Sequence, residues 1–409
     1  GKKDLMADPK NEKKMNKISR RDFINKTTAM AAGCTLPFSK IKSVPKKNTR
    51  PKIKRYKPFG KTGFMVSDIS AGSGQKEPGL IKYIFECGVN YIDSAYQYPG
   101  HEETLGKILP QWRDKVFVTT KWDPELVTST VTKEKLLKQL DISLKRLNTT
   151  YVDCLMIHGI GHPSLGDITR IQNPAIYEAW DEAKKLGKIR FTGASGCGVK
   201  LLEELEWAID NDRFDVITVG GNFLTHGLEP LLKKARAKGV ATVAMKTMTV
   251  FKSDLNIKAL MGKNINARQA VIKYILGSNL FDTMIISMRN YDQVNEYLAI
   301  SGQSKLTEED KKLLHTLETE ISPMYCRPGC DECYGACPSN VPVADILRYK
   351  MYFENYGDEK YAMKQYKRIP ESMSAKICNN CSAPCESFCP YNIPIRKQLI
   401  EAHFQLTFT

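Results

Sequence analysis

Between Ile53 and Ala299 the chain alternates short apolar runs rich in β-formers with longer stretches in which apolar residues recur at helical spacing. The apolar runs predict eight strands: Val66–Gly72, Val89–Ala95, Val116–Trp122, Val152–His158, Ile189–Ser195, Asp215–Gly221, Ala241–Thr247 and Thr283–Met288. Helices are predicted between them at Lys133–Leu147, Ala175–Leu186, Lys200–Asp210, Glu229–Lys238 and Ala267–Leu276, several followed by a glycine (Gly187, Gly239, Gly277) as helix C-termini favour. Eight strand–helix units in about 250 residues imply an α/β fold, a closed (β/α)8 TIM barrel. An open doubly wound sheet is the competing arrangement, but no Gly-x-Gly-x-x-Gly turn follows the first strand. Residues 53–65, with Gly60 and Gly63, suit a small hairpin closing the barrel bottom.

After the barrel the pattern changes. Two cysteine runs, each closed by Cys-Pro, fill the last fifth of the chain: Cys326, Cys330, Cys333, Cys337, and Cys378, Cys381, Cys385, Cys389. Predicted helices at Asp345–Tyr356 and Asp358–Lys367 lie between them. Closely spaced cysteines ending in Cys-Pro suit two [4Fe–4S] clusters. Each run has one residue more than the common C-x2-C-x2-C-x3-C-P spacing, in different gaps. By analogy with that pattern, three cysteines of one run pair with the last of the other. Cys326, Cys330, Cys333 and Cys389 would then hold one cluster, and Cys378, Cys381, Cys385 and Cys337 the second. Zinc sites and four disulfides are the alternatives. Cys87 and Cys154 read as buried apolar residues, while Cys197 falls two residues after Ser195, at the barrel mouth.

Composition adds one qualification. The net charge of +16 looks like a nucleic-acid signal, but residues 1–50 alone carry +10 of it, and no basic stripe with interleaved aromatics runs through the body. Nucleic-acid binding is therefore not expected. The basic N-terminus holds Arg20-Arg21, then Phe23-Ile24, then a mild apolar run Thr27–Phe38, too short to span a bilayer. It resembles a twin-arginine signal, which implies engagement of that export machinery and a periplasmic or outer-side location. Membrane attachment is expected only if Cys34, after Ala31-Ala32-Gly33, is lipidated. The domains read as 1–45 signal and linker, 50–302 barrel, and 303–409 helical linker with a ferredoxin-like two-cluster domain.

Barrel chemistry sits at the C-terminal strand ends. Asp93 ends the second strand, with Tyr98 five residues on; Lys121 ends the third, and His158 the fourth. An ammonium lowers the pKa of a neighbouring phenol and makes it a proton donor at neutral pH, while a carboxylate holds the lysine charged and an imidazole bonds a substrate carbonyl. Each alone has a plainer role in packing, capping or solvation; together they form an acid–base constellation.

These residues carry a resemblance. Tyr56–Asp68, Asp93-Ser-Ala-Tyr-Gln-Tyr-Pro-Gly-His-Glu-Glu-Thr-Leu-Gly106, Thr120-Lys121, Tyr151–His158 and Gly187–Ser195 resemble the aldo-keto reductases, members of which with C-terminal clusters have similar tails. The resemblance implies that Tyr98 protonates a carbonyl during hydride transfer, with Lys121 and Asp93 tuning it and His158 orienting the substrate, and makes a small polar, sugar-like carbonyl or alcohol the expected substrate. It implies NADP(H), with Ser195, Arg289, Gln293 and Glu296 on the cofactor side. The chain departs from the family pattern where Gly196 replaces the usual Asn, Thr218 the usual Gln, and Met245-Lys246 a stacking tyrosine. An exported enzyme has no steady nicotinamide supply, so electrons through the clusters from a transfer partner are an alternative. A non-redox lyase or isomerase using the same tetrad with structural clusters, and a catalytically silent electron carrier, are the other two.

Overall fold

Eight short parallel strands close into a barrel in the order β10-β3-β4-β5-β6-β7-β8-β9. In this computed structural model, which describes residues 50–252, 266–327 and 329–407, they are β3 (Ile69–Ala71), β4 (Tyr91–Asp93), β5 (Phe117–Lys121), β6 (Val152–Ile160), β7 (Ile189–Gly196), β8 (Val216–Gly220), β9 (Ala241–Met245) and β10 (Thr283–Ile286). Each predicted run coincides with one of them, with β6 running on to Ile160 and β7 to Gly196, past the predicted ends at His158 and Ser195. The strands read as continuous apolar runs because a parallel barrel buries both faces: β3, β4, β5 and β8 are buried at every position. The preceding pair, β1 (Tyr56–Pro58) and β2 (Met65–Ser67), is an antiparallel hairpin. Its Phe59 and Val66 join Tyr91, Phe117, Cys154 and Met156 in the interior cluster of the barrel, and Lys61 N–H donates to the Gly239 carbonyl at 2.8 Å. The hairpin thus closes the end opposite the strand C-termini. Gly60 allows that approach: with φ of +50°, any Cβ on it would lie 2.5 Å from the Gly239 oxygen and the Ala241 nitrogen.

The outer helices are amphipathic and end as their sequences require. Lys133–Arg146 buries Leu136, Leu140 and Leu144 toward the sheet, with Glu134 in its first turn and Lys145 and Arg146 in its last, complementing the helix dipole. Gly187 and Gly239 follow their helices with φ of +68° and +75°. Gly277 does not act this way. It is the last residue of Ala267–Gly277, and a Cβ there would lie 2.6 Å from the Ser304 oxygen, so it serves close packing of the next segment.

From Arg50 on, the chain forms one compact unit. The tail docks through Glu308–Ile321, a helix started by a Thr307/Asp310 capping box, worth about 1 kcal/mol. Its Leu313, Leu314, Leu317 and Ile321 pack with Ala267, Ala270 and Val271 of the barrel and with Phe223, Leu224 and Tyr325. Beyond it, helices Val343–Tyr356, Glu359–Lys367 and Ile395–Thr407 share a second core with Cys333, Cys378 and Cys385. No described helix is long and apolar enough to cross a membrane. The Arg20-Arg21 motif, Cys34 and the 1–45 signal segment lie outside the described residues.

Candidate functional site at the barrel mouth

The strand C-termini bring Asp93, Lys121 and His158 to the same mouth, and the loop after β4 adds Tyr98. Lys121 Nζ donates to Asp93 Oδ2 at 2.5 Å and to the Ser94 carbonyl at 2.7 Å, with both side chains nearly fully buried. The ammonium sits 5.4 Å from the centroid of the Tyr98 ring, and His158 meets that ring edge-on, with centroids 5.6 Å apart. All four sequence candidates therefore converge.

Their electrostatics differ from expectation in one respect. Tyr98 is pushed well above the usual phenol range, chiefly by burial and then by Asp93, Tyr361 and Tyr352. The expectation that Lys121 lowers it is corrected: the ammonium is already committed to Asp93, and Asp93 returns a negative field. Tyr98 stays a protonated donor at every ordinary pH. His158 is held well below the usual imidazole range by burial, with Lys121 and His162 adding to it. It is a neutral imidazole, and its Nδ1 has no partner among the described residues. Burial raises the Asp93 carboxyl, against the pull of Lys121.

The tail covers this mouth. Tyr352 Oη accepts from Lys246 Nζ at 2.5 Å, Tyr349 Oη lies 3.1 Å from Ser164 Oγ, and Lys364 and Arg368 both pair with Glu125 in the loop after β5. Tyr325 Oη lies 2.9 Å from Thr249 Oγ1 and 3.4 Å from Asn222 Nδ2, over the loops after β8 and β9. Lys246 holds a left-handed φ of +59° to make its contact. Tyr352, Tyr361, His162 and Asp345 are mouth residues that the sequence did not single out. For His162 a signal existed: it follows Gly159-Ile-Gly161 directly after a strand end.

The cofactor-side residues are less concentrated. Ser195 Oγ is turned to Met245 Sδ at 3.9 Å. Gly196 is where the chain lacks the family's Asn, and a Cβ there would fall 2.3 Å from the Ile160 oxygen, so no side chain fits. Gln293 Oε1 accepts from the Arg289 backbone N–H at 2.7 Å, and Glu296 Oε1 accepts from Asn266 Nδ2 at 2.7 Å. Arg289 is exposed at the head of Tyr291–Leu298, three strands round the barrel from Ser195. A phosphate would find Arg289 there. The ring end offers no matching cradle, because Gly196 has no side chain and Lys246 is bound to Tyr352.

No disulfide joins any of the described cysteines. Cys87 and Cys154 are fully buried in the barrel, as their settings predicted. The tail thiols act on one another: after burial, the groups that raise Cys326 are Cys330, Cys333 and Cys389, those that raise Cys378 are Cys337, Cys385 and Cys381, and Cys333 is raised by Cys330, Cys385 and Cys389, so the two sets adjoin. Cys337, Cys378, Cys381 and Cys385 also line one apolar cavity with Val341, Ile377 and Leu399. Backbone N–H groups of Val341 and Ala383 donate to Cys337 and Cys381 sulfurs at 3.3 and 3.4 Å. Among the described residues, no three Cys, His, Asp or Glu side chains close in on a single metal ion.

Comparison with known proteins agrees with the barrel. Residues 73–250 match the profile of the aldo/keto reductase family. The methylglyoxal reductase DkgB of Salmonella typhimurium is 26% identical over 269 residues, covering 61% of this chain and 92% of that protein. The L-galactose dehydrogenase of Arabidopsis thaliana is 23% identical over 305 residues, covering 65% of this chain and 94% of that protein. A solved thermostable aldo-keto reductase in complex with the inhibitor epalrestat is 26% identical, with a TM-score of 0.52 over 64% of this chain and 99% of that one. The holo form of an aldo-keto reductase from Bacillus halodurans, 22% identical with a TM-score of 0.52 over 65% of this chain and 96% of that one, shares the fold. Residues 73–250 are thus an aldo/keto reductase family domain within the barrel, and the family is one of oxidoreductases.

Proposed function

We propose that the protein interconverts a carbonyl and an alcohol on a small polar substrate at the barrel mouth, with two [4Fe–4S] clusters in its tail. The observation that carries this reading is the convergence of a protonated Tyr98, the Lys121–Asp93 ion pair and a neutral His158 at one barrel mouth. A carbonyl oxygen placed between Tyr98 and His158 would accept a hydrogen bond from each. As negative charge develops on that oxygen, Tyr98 gives it a proton. Lys121, 5.4 Å from the ring, steadies the phenolate left behind, and Asp93 keeps the ammonium aimed. A phenol held above its usual range is a poor acid in the resting enzyme, so transfer waits for the stronger base that reduction creates. The tail tyrosines exclude water from the same space.

The cysteine sets fit the clusters. Each set gathers four thiols, two of the sulfurs receive backbone N–H bonds, and a cube with iron at four alternate corners and sulfide at the others needs its thiolates farther apart than one ion does. Bound there, the clusters would supply one-electron transfers, and a two-electron mediator of the nicotinamide or flavin class would be needed to pass a hydride to the carbonyl carbon while Tyr98 supplies the proton. The nicotinamide-side residues fit a phosphate at Arg289 and do not form a ring cradle, so no step is routed through NADP(H). The substrates named for the relatives, methylglyoxal and L-galactose, make small oxo compounds and sugars the first to try. Export by the twin-arginine route belongs to the same proposal, since that route carries folded, cofactor-loaded chains.

The test is anaerobic purification with iron, sulfide and nicotinamide analysis, then turnover of small aldehydes and sugars by the wild type and Tyr98→Phe. Expected are about eight irons and a turnover loss of about 10²–10⁴-fold in the variant with iron unchanged. Turnover unchanged in the variant would remove Tyr98 as the acid, no turnover in the wild type would leave the silent-carrier reading, and retained iron with non-redox products the lyase reading.

A further inference from the structure

The loops after β6 and β7 touch backbone to backbone. A Cβ on Gly198 would lie 2.0 Å from the Gly161 oxygen and 2.5 Å from the His162 nitrogen, and one on Gly161 would lie 2.5 Å from the Leu201 nitrogen. Two glycines therefore permit an approach no other residues would. The approach sets the side chains beside them together: Cys197 Sγ lies 3.6 Å from His162 Nε2. On the far side of the ring, His162 Nδ1 lies 3.1 Å from Asp345 Oδ1, in the first turn of the tail helix Val343–Tyr356. Neither Asp345 oxygen has a hydrogen-bond partner in good geometry among the described residues, so its ion pair with the imidazole is the contact that accounts for a carboxylate 1% exposed.

We infer that Cys197, His162 and Asp345 form a nucleophilic thiolate site at the mouth, which adds reversibly to the carbonyl carbon of a small aldehyde. The arrangement has the parts such a nucleophile needs: a thiol, a base within hydrogen-bond reach, and a third group orienting the base. The third group comes from the tail, so the site exists only when the tail is docked on the barrel. The groups facing Cys197 come from every side. Lys246 follows β9, His162 follows β6, Arg348 and Tyr352 lie on the tail helix, Tyr361 on the next, and Tyr98 follows β4. Burial alone would raise the thiol, but Lys246, His162 and Arg348 together bring it down to about 6. Burial likewise opposes charge on His162, but Asp345 and Cys197 outweigh it and raise the imidazole to about 10. Geometry and charge agree on a thiolate–imidazolium pair at neutral pH.

The step balances without a redox partner. The Cys197 sulfur forms a C–S bond to the carbonyl carbon, the C=O π bond opens, and the oxyanion takes the proton of His162 to give a thiohemiacetal. Reversal returns the proton to His162 and frees the aldehyde. A ketone is a poorer electrophile in so closed a space, so the site favours aldehydes. The inference rests on the mouth as a carbonyl site but not on Tyr98 as its acid, and its test needs no turnover.

The test is anaerobic alkylation of the full protein with iodoacetamide across pH 5–10, read at Cys197 by peptide mass spectrometry. The midpoint of the pH profile is independent of how freely reagent enters. Expected is a midpoint near 6, against the ordinary thiol value of about 8.5, a difference that makes the thiolate about thirtyfold more populated at pH 7. His162→Asn should move the midpoint up by a unit or more, with Asp345→Asn in the same direction. Pre-incubation with glyceraldehyde should slow alkylation of Cys197 saturably while leaving Cys87 and Cys154 unaffected. Tyr98→Phe should lose turnover while the low midpoint at Cys197 persists, which separates failure of this site from failure of the reductase reading. A midpoint at or above 8.5 in the wild type, a midpoint unmoved in His162→Asn, or a low midpoint without aldehyde protection would each overturn the inference.

Discussion

Replacing Lys121 with Met should be among the costliest single changes in the barrel, and its cost should depend on pH. The Lys121 and Asp93 side chains are 1% and 3% exposed, and Asp93 Oδ1 already lacks a partner. Removing the ammonium leaves a buried carboxylate with nothing to balance it, which costs about 3–5 kcal/mol. The carboxylate can escape part of that by taking a proton. Burial already raises its pKa with the lysine present, and without it the shift grows. A group whose folded pKa lies above its unfolded value destabilises the fold as pH rises through that window. The Lys121→Met penalty should therefore be larger at pH 8 than at pH 5. Adding Asp93→Asn should recover most of it, since a neutral amide carries no Born cost. Urea unfolding followed by tryptophan fluorescence reads this directly, because Trp122 is the next residue and stacks on Trp180 at 5.5 Å inside the barrel wall. A penalty below about 1 kcal/mol at pH 8, or a double variant no more stable than Lys121→Met, would show that the pair is not the buried ionic unit described.

Two further outcomes follow from the same coordinates. Gly198→Ala puts a methyl group 2.0 Å from the Gly161 oxygen, so the loops after β6 and β7 must part. Expected are a loss of about 1–3 kcal/mol in urea and a Cys197 alkylation profile shifted toward that of an ordinary thiol, whereas wild-type behaviour in both would show that the loops do not need that contact. His101 is buried beside Ser94, and burial, with Lys121 second, brings its imidazole down to about 4. Its folded pKa lies below its unfolded value, so the unfolded chain binds the extra proton and stability falls as pH drops from about 6.5 to 4, by up to about 3 kcal/mol. His101→Gln should flatten that part of the stability–pH curve, and an unchanged slope would refute the assignment.

The barrel was legible because its strands obey one simple rule. A parallel strand buried on both faces has no polar alternation to obscure it, so Val152–His158 and Ala241–Thr247 stand out as runs between glycine-ended helices. The hairpin of β1 and β2 was legible for a different reason, the pair Gly60 and Gly63 with φ of +50° and +75°. Asp93, Lys121 and His158 could be placed at one mouth because topology alone sends every strand end there.

What the sequence did not disclose is everything that depends on the tail folding back. Asp345 is merely a first-turn acid of a predicted helix until that helix lies over the β6 loop, and Tyr352 and Tyr361 are unremarkable until they meet Lys246 and Tyr98. The reversal in the Tyr98 pKa has the same origin. A lysine at the end of the next strand argues for a lowered phenol, but that argument assumes solvent over the ring. With tail tyrosines there instead, desolvation is the larger effect, and the lysine's field is spent on Asp93 at 2.5 Å. The tail therefore does more than follow the barrel: it sets the dielectric in which the mouth residues titrate and supplies the carboxylate that orients His162. Chemistry at the mouth and integrity of the cysteine-bearing tail should accordingly be lost together, since the helix Val343–Tyr356 carries Asp345 and Tyr352 toward the barrel and packs Val343 and Ile346 in one core with Cys333, Cys378 and Cys385.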